Sequence, residues 1–280
     1  MKGLINPSSD KASDYTRGIS PSKGLGQHFL VNDGVLNKIV SAADIAESEV
    51  IVEVGPGTGL LTKKLAKTGA RIIALEIDRN LRHRLATELT HLSNVSILIA
   101  DGRTWDTSSV GTSYKMVANL PYYAATNIIR HFLESTAPPT SMVVTVQREV
   151  AQSMTAQPGK MRMVSIATQL YGKPSILGYI KPGSFWPKPK VTSAIVRIQL
   201  YNHPMIDIEN IHTFFEVVRG GFSNPRKQLH NALKNSFGIS AAIIYYLLKK
   251  SGIDFTRRAE SLTIAEWGEL HRAFINEGIC

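Results

Sequence analysis

The chain has 280 residues, room for one sizeable α/β domain and a small second one, and its 43% hydrophobic content suits a globular core. Lysine and arginine (32) outnumber aspartate and glutamate (22), and +9 of the net +10 lies on residues 1–200, so a polyanion is the expected partner. The single cysteine, Cys280, excludes a disulfide framework and a thiolate metal site, and no apolar run reaches the ~20 residues of a membrane helix. A metal-free, soluble, cytoplasmic protein is expected.

Residues 1–22 form a polar leader without the apolar segment of a secretory signal, expected to be disordered. Lys23-Gly24-Leu25-Gly26-Gln27-His28-Phe29-Leu30 then reads as a glycine-punctuated loop held in place by another part of the chain. Asn32 or Asp33 can cap a helix whose Val35, Leu36, Ile39, Val40 and Ala43 recur at helical spacing. Val50-Ile51-Val52-Glu53-Val54 is a compact β-branched strand, followed at once by Gly55-Pro56-Gly57-Thr58-Gly59 and a helix start. That order lets a backbone approach a nucleotide at a helix N-terminus. Leu60 at the sixth position excludes the dinucleotide fingerprint, and the absence of Gly-Lys-Ser/Thr excludes a phosphate-cradling loop. A second strand, 71–78, ends in carboxylates, and Glu76 lies about 20 residues past the loop, where it can accept both hydroxyls of a ribose. After a helix over 79–91, a third strand, 95–100, ends at Asp101, which serves either as a turn cap or as acceptor for an adenine amino group.

Tyr114 to Ala118 is another short strand, and Pro121 forces it to open into the constrained loop Asn119-Leu120-Pro121-Tyr122-Tyr123. A helix over 126–133, a strand over 142–147 and a helical segment around 150–154 follow. Strands alternating with helices predict an α/β fold with a doubly wound, Rossmann-like parallel sheet. Strands 173–180 and 191–200 flank Ser184-Phe185-Trp186-Pro187-Lys188-Pro189-Lys190, whose aromatics and cations suit an unstacked base and its phosphates. Beyond 201–204 the pattern becomes all-helical, ending in a helix opened by a Thr263/Glu266 capping box. The expected organisation is a leader (1–22), an α/β domain (23–202) and a small helical domain (203–280). Arg226, Lys227, His230 and Lys234 line either an RNA-backbone surface or a solvated helix face.

A glycine loop, a ribose-type acid, an acid at a strand end and Asn-Leu-Pro-Tyr together fit one cofactor, S-adenosylmethionine. An exocyclic amine is a poor nucleophile because its lone pair is delocalised into the base. The Asn119 side-chain oxygen and the backbone carbonyl region of Pro121 can accept its two N–H groups and favour a tetrahedral nitrogen, which is positioning and electrostatics rather than general-base catalysis. Tyr122 and Phe185 are candidates for stacking on an extruded base.

These motifs resemble the ribosomal RNA adenine dimethyltransferase family of the small subunit. The resemblance runs from Lys23 to the C-terminus and in order: Gly-Gln-His-Phe-Leu, Val-Glu-Val-Gly-Pro-Gly-Thr-Gly, Leu-Glu-Ile-Asp, Asn-Leu-Pro-Tyr, Gln-Arg-Glu-Val and Pro-Lys-Val-x-Ser-Ala-Ile-Val, then Asn-Pro-Arg-Lys-Gln. It implies a methyltransferase domain that dimethylates two adjacent adenines near the 3′ end of small-subunit rRNA, acting on a precursor 30S particle as a monomer. It further implies cofactor contacts at Gln27, His28, Leu30, Gly55, Gly57, Glu76, Asp101 and Asn119, with Asn119, Leu120, Pro121 and Tyr122 around the target amine. The chain departs from the family pattern at His28, at Thr192 and over Met161-Arg162-Met163-Val164-Ser165. The related macrolide-resistance methyltransferases of large-subunit rRNA, a DNA adenine methyltransferase, and a non-catalytic nucleic-acid-binding protein on the same scaffold are the competing expectations.

Overall fold

The computed structural model describes residues 18–22 and 24–279, so residues 1–17, Lys23 and Cys280, with most of the expected leader, lie outside the described residues. The chain divides into two compact units. One runs to Ala151 and resumes over Ser175–Leu200; the other comprises Gln152–Pro174 and Tyr201–Cys280.

In the first unit a β1 strand (Phe29–Leu30) and helix α1 (Asp33–Ala43) precede β2 (Val50–Val54), α2 (Leu60–Ala66), β3 (Arg71–Glu76), α3 (Arg79–Glu88), β4 (Val95–Ile99), β5 (Tyr114–Asn119), α4 (Ala125–Glu134), β6 (Ser141–Gln147) and α5 (Arg148–Met154). Asn32 settles the first cap: its side chain accepts from Val35 N at 3.0 Å, leaving Asp33 inside the first turn. Later come β7 (Gly172–Ile180), β8 (Phe185–Trp186) and β9 (Ser193–Leu200). The seven-stranded sheet has the order β4-β3-β2-β5-β6-β9-β7. Strands β2 to β6 pair in parallel, and β9 runs antiparallel to β6. All five residues of β2 are buried, as expected of a central strand covered on both faces. The edge strand β4 instead exposes Leu98 and Ile99. The doubly wound α/β expectation holds. Strand order reverses between β2 and β5, so the crevice where such sheets take ligands lies beyond the carboxyl ends of these two strands.

The loop around Gln27 is held by chain about 160 residues away. β1 pairs antiparallel with β8, Phe29 opposite Trp186 and Leu30 opposite Phe185, and Val31 N donates to Ser184 O at 2.9 Å. Two residues per strand were too few to show as strands in the sequence.

The second unit holds α6 (Met163–Gln169), α7 (Ile211–Phe222), α8 (Leu229–Phe237), α9 (Ala241–Lys250) and α10 (Ile264–Asn276). Phe214, Phe215, Leu247, Trp267 and Phe274 centre its core. Where the sequence places residues 23–202 in one domain, Met161, Ile166 and Leu170 join this helical core. The helix among them, Met163–Gln169, is only seven residues long, with Met161 just before it and Leu170 at its C-cap. The Thr263/Glu266 capping box opens α10, with Thr263 N donating to Glu266 Oε2 at 2.7 Å and Glu266 N to Thr263 Oγ1 at 3.1 Å.

Candidate active site

Four strand ends converge on a cleft of about 680 Å³, part of it open to solvent. Gly55 and Gly57 follow β2, Glu76 ends β3, Asp101 lies just past β4, and Asn119 ends β5; all of them line the cleft, joined by Gln27, His28 and Pro121.

The glycine loop is built for close approach. Gly55, Gly57 and Gly59 all have positive φ, and a Cβ on Gly57 would stand 2.8 Å from a Phe29 ring carbon. The loop is tied to the next strand, since Gly57 N donates to Glu76 Oε2 at 3.1 Å and Asp78 N donates to Glu76 Oε1 at 2.9 Å. Glu76 is 4% exposed, and burial raises its proton affinity against the pull of those backbone donors. Each carboxylate oxygen still has lone pairs for ligand hydroxyls. A cradle without side chains beside a fixed double acceptor fits an adenosyl ligand, so the residues present match S-adenosylmethionine.

Asn119 is oriented by its partners. Its Nδ2 donates to the His28 carbonyl at 3.1 Å, and because a carbonyl can only accept, Oδ1 must face Thr145, whose hydroxyl donates to it at 2.5 Å. One Oδ1 lone pair is left over. His28 Nδ1 lies 2.7 Å from the Pro187 carbonyl, and its ring stacks on Tyr122 with centroids 5.5 Å apart. Tyr122 OH lies 2.5 Å from Ser193 Oγ. Gln27 ties the cleft's rim, accepting from Ser22 N and donating to Asp78 Oδ2.

Several expectations need correcting. Phe185 is not at the cleft: it is 4% exposed and packs in the core cluster with Leu30, Leu36 and Ile195, because the β1–β8 pairing turns it inward. Leu30 likewise commits its side chain to that cluster and lines only a smaller recess beside the cleft. Asp101 is not simply open to a base. Arg103 grips both carboxylate oxygens, with contacts down to 2.6 Å, and this hydrogen bonding holds the Asp101 carboxyl below its ordinary range. The Pro121 carbonyl already accepts from Ala124 N at 3.1 Å, whereas the Leu120 carbonyl accepts none of the described loop and turn backbone hydrogen bonds. Leu120's side chain is buried, and Tyr122 stands behind the lining. Of the two adjacent tyrosines it is Tyr123, 49% exposed, that lines the cleft. Sequence reasoning also missed Ile77, Arg103 and Ile128 in the lining. Ile77 had a signal: it directly follows the ribose-type acid. In the helical unit, Arg226, Lys227 and Lys234 are exposed, while His230 is held by the Phe255 carbonyl at 2.8 Å and stacks on Tyr245.

A sequence profile described as "Ribosomal RNA adenine dimethylase" matches residues 20–275. The chain belongs to the ribosomal RNA adenine dimethylase family. It is 42% identical over 267 residues to "Ribosomal RNA small subunit methyltransferase A" of Dehalococcoides mccartyi, covering 94% of this chain and 91% of that protein. The protein of the same name from Alkaliphilus metalliredigens is 37% identical over 279 residues, covering 96% and 97%. Among solved structures, a dimethyladenosine transferase from Plasmodium falciparum superposes with a TM-score of 0.74 at 23% identity, covering 90% of this chain and 98% of that one. The 23S rRNA methyltransferase ErmE gives 0.68 at 22% identity, covering 88% and 98%. These two share the fold. As a member of the dimethylase family, the chain is an S-adenosylmethionine-dependent adenine methyltransferase. No helix among the described residues is long and apolar enough to cross a membrane.

Proposed function

We propose that this dimethylase transfers two methyl groups to N6 of each of two adjacent adenines near the 3′ end of small-subunit rRNA, acting as a monomer in the cytoplasm on a precursor of the 30S particle. The carrying observation is Asn119, locked by Thr145 and the His28 carbonyl at the end of β5, with the glycine loop and Glu76 lining the same cleft.

The sulfonium of the bound cofactor supplies an electrophilic methyl carbon. The chain's residues do the rest. Glu76 and the Gly55–Gly57 backbone hold the adenosyl end, and Ile77 offers an apolar wall for its base. Asn119 Oδ1, through its spare lone pair, and the Leu120 carbonyl would receive the target amine's N–H groups, which releases the nitrogen's lone pair from the base ring for attack. Tyr122, braced by His28 and Ser193, fixes the loop, and Tyr123 gives the extruded base an aromatic face. The net +10 charge favours binding to the RNA backbone.

Incubation with methyl-labelled cofactor and undermethylated small subunits should yield N6,N6-dimethyladenine at two neighbouring positions. Absence of that product, or its appearance in large-subunit RNA instead, would reject the proposal.

A further inference from the structure

Arg103 is a cleft residue that methyl transfer, as described above, leaves without a task. Among the described residues it is the only lysine or arginine in the cleft's lining, and its one ion pair is with Asp101. Asp101 is fixed by its turn: its carbonyl accepts from Thr104 N at 3.0 Å and Trp105 N at 2.9 Å, and a Cβ on Gly102 would stand 2.5 Å from Val54. Its carboxylate is full. Oδ1 accepts from Arg103 N at 2.9 Å and Nε at 3.0 Å, and Oδ2 accepts from Nε at 3.0 Å and Nη2 at 2.6 Å. An ionised carboxylate has about four lone-pair sites, so none is left for a further donor. An adenine amino group can therefore bond to Asp101 only if the guanidinium moves away.

We infer that Arg103 couples the two substrates: it leaves Asp101 when the cofactor's adenine amino group takes that carboxylate, and the freed guanidinium binds a phosphate of the RNA strand whose adenine enters the cleft. The inference rests on the S-adenosylmethionine assignment and the rRNA reading proposed above, with Asp101 as the acceptor for the cofactor's base. The exchange is easy on the departing side, because the Arg103 and Asp101 side chains are 42% and 27% exposed and a pair that faces solvent is weak. It also leaves the guanidinium without an acid to turn to. The other carboxyl in the lining, Glu76, already accepts from Gly57 N and Asp78 N and faces the ribose. Arg103 interacts electrostatically with the half-exposed Tyr123, so its charge sits at the end of the cleft that receives the target base. A planar guanidinium matches a phosphate in fork geometry. Because coupling is reciprocal, the cofactor tightens RNA binding and RNA tightens cofactor binding by the same factor.

The test measures binding of undermethylated small subunits to the full chain, with and without saturating S-adenosylhomocysteine, over a range of salt. The wild type should bind subunits about fivefold more tightly with the ligand, and its salt dependence should steepen by about one phosphate contact. Arg103→Leu should bind S-adenosylhomocysteine alone about threefold more tightly than the wild type, since nothing competes for Asp101. It should bind subunits equally with and without the ligand. S-inosylhomocysteine, whose base carries a carbonyl in place of the amino group, should at saturation leave wild-type subunit binding unchanged, a comparison that stands even if the variant folds poorly. Wild-type subunit affinity indifferent to S-adenosylhomocysteine, equal tightening by both ligands, or the wild-type ratio kept in Arg103→Leu overturns the inference alone. Weaker S-adenosylhomocysteine binding by Arg103→Leu does so too, by making Arg103 part of the cofactor site. Failure of S-adenosylhomocysteine to bind the wild type overturns the cofactor assignment, and failure to bind small subunits in either state overturns the rRNA reading.

Discussion

Among the described residues the sheet unit buries Glu53, Thr58, Thr62, Glu76, Thr107, Ser141, Thr145, Ser184 and Ser193, with both carboxyls at or near the ends of strands that face the cleft, whereas the helical unit buries Ser165, Thr168 and His271 and no carboxyl side chain. Burying polar groups is unfavourable unless they find partners, and buried carboxyls are the most demanding. The sheet unit therefore sets stability aside at one end, where its ligand-facing groups are concentrated. The helical unit spends its interior on aromatic and aliphatic packing around Trp267. Substitutions in the two interiors should fail in different ways.

The largest effect is expected in the helical unit. Trp267 is fully buried, and a Cβ on Gly221 would stand 2.4 Å from its ring. Trp267→Ala should cost about 3–5 kcal/mol of stability, read by urea denaturation, while the folded fraction binds S-adenosylhomocysteine normally. A loss of cofactor affinity at unchanged stability would erase the contrast between the units. Next comes Asn119→Ala, for which kcat should fall about 10²–10³-fold, the scale of one lost transition-state acceptor, with cofactor affinity kept within about tenfold. Unchanged turnover would remove Asn119 from the mechanism.

A third expectation concerns pH. The folded Glu53 carboxyl titrates near 8, above its ordinary 4.5, so between these values the native state holds a proton that the unfolded chain has lost. Stability should therefore decline as pH rises from about 5 to 8 and level off above that, by an amount on the order of 2 kcal/mol after structural relaxation. Glu53→Gln should flatten that slope; an identical slope in the variant would show that Glu53 is not its source. The smallest effect is expected for Tyr122→Phe, which loses the bond to Ser193 but keeps the ring on His28. About 1 kcal/mol of stability should go, and kcat should drop severalfold. A drop as deep as that of Asn119→Ala would give the hydroxyl a direct part in the chemistry.

Strand-to-loop transitions were the legible part of the sequence. Val50–Val54 running into three glycines, Glu76 at the end of an apolar strand, and Pro121 after Asn119 each constrain the backbone locally, so their positions at the sheet's carboxyl edge followed from residue type and order. What stayed hidden depends on distant pairing. Phe185 reads as an exposed aromatic because lysines and prolines surround it, yet two residues of β1 draw it into the core. Asp101 and Arg103 are neighbours in the sequence, but whether the guanidinium turns back onto the carboxylate is a rotamer choice that spacing does not reveal. Tyr122 and Tyr123 are adjacent aromatics, and only the fold decides which one faces the ligand.

The β1–β8 pairing has a consequence for synthesis. His28 and Phe29, which wall the cleft near the start of the chain, are held by Trp186, Pro187 and Ser193-anchored Tyr122. Chains fold from the N-terminus as they emerge from the ribosome. The five parallel strands can thus assemble early, while the wall around the cofactor waits for residues made some 155 positions later. A nascent dimethylase would carry the five parallel strands of its sheet before it could close on its cofactor.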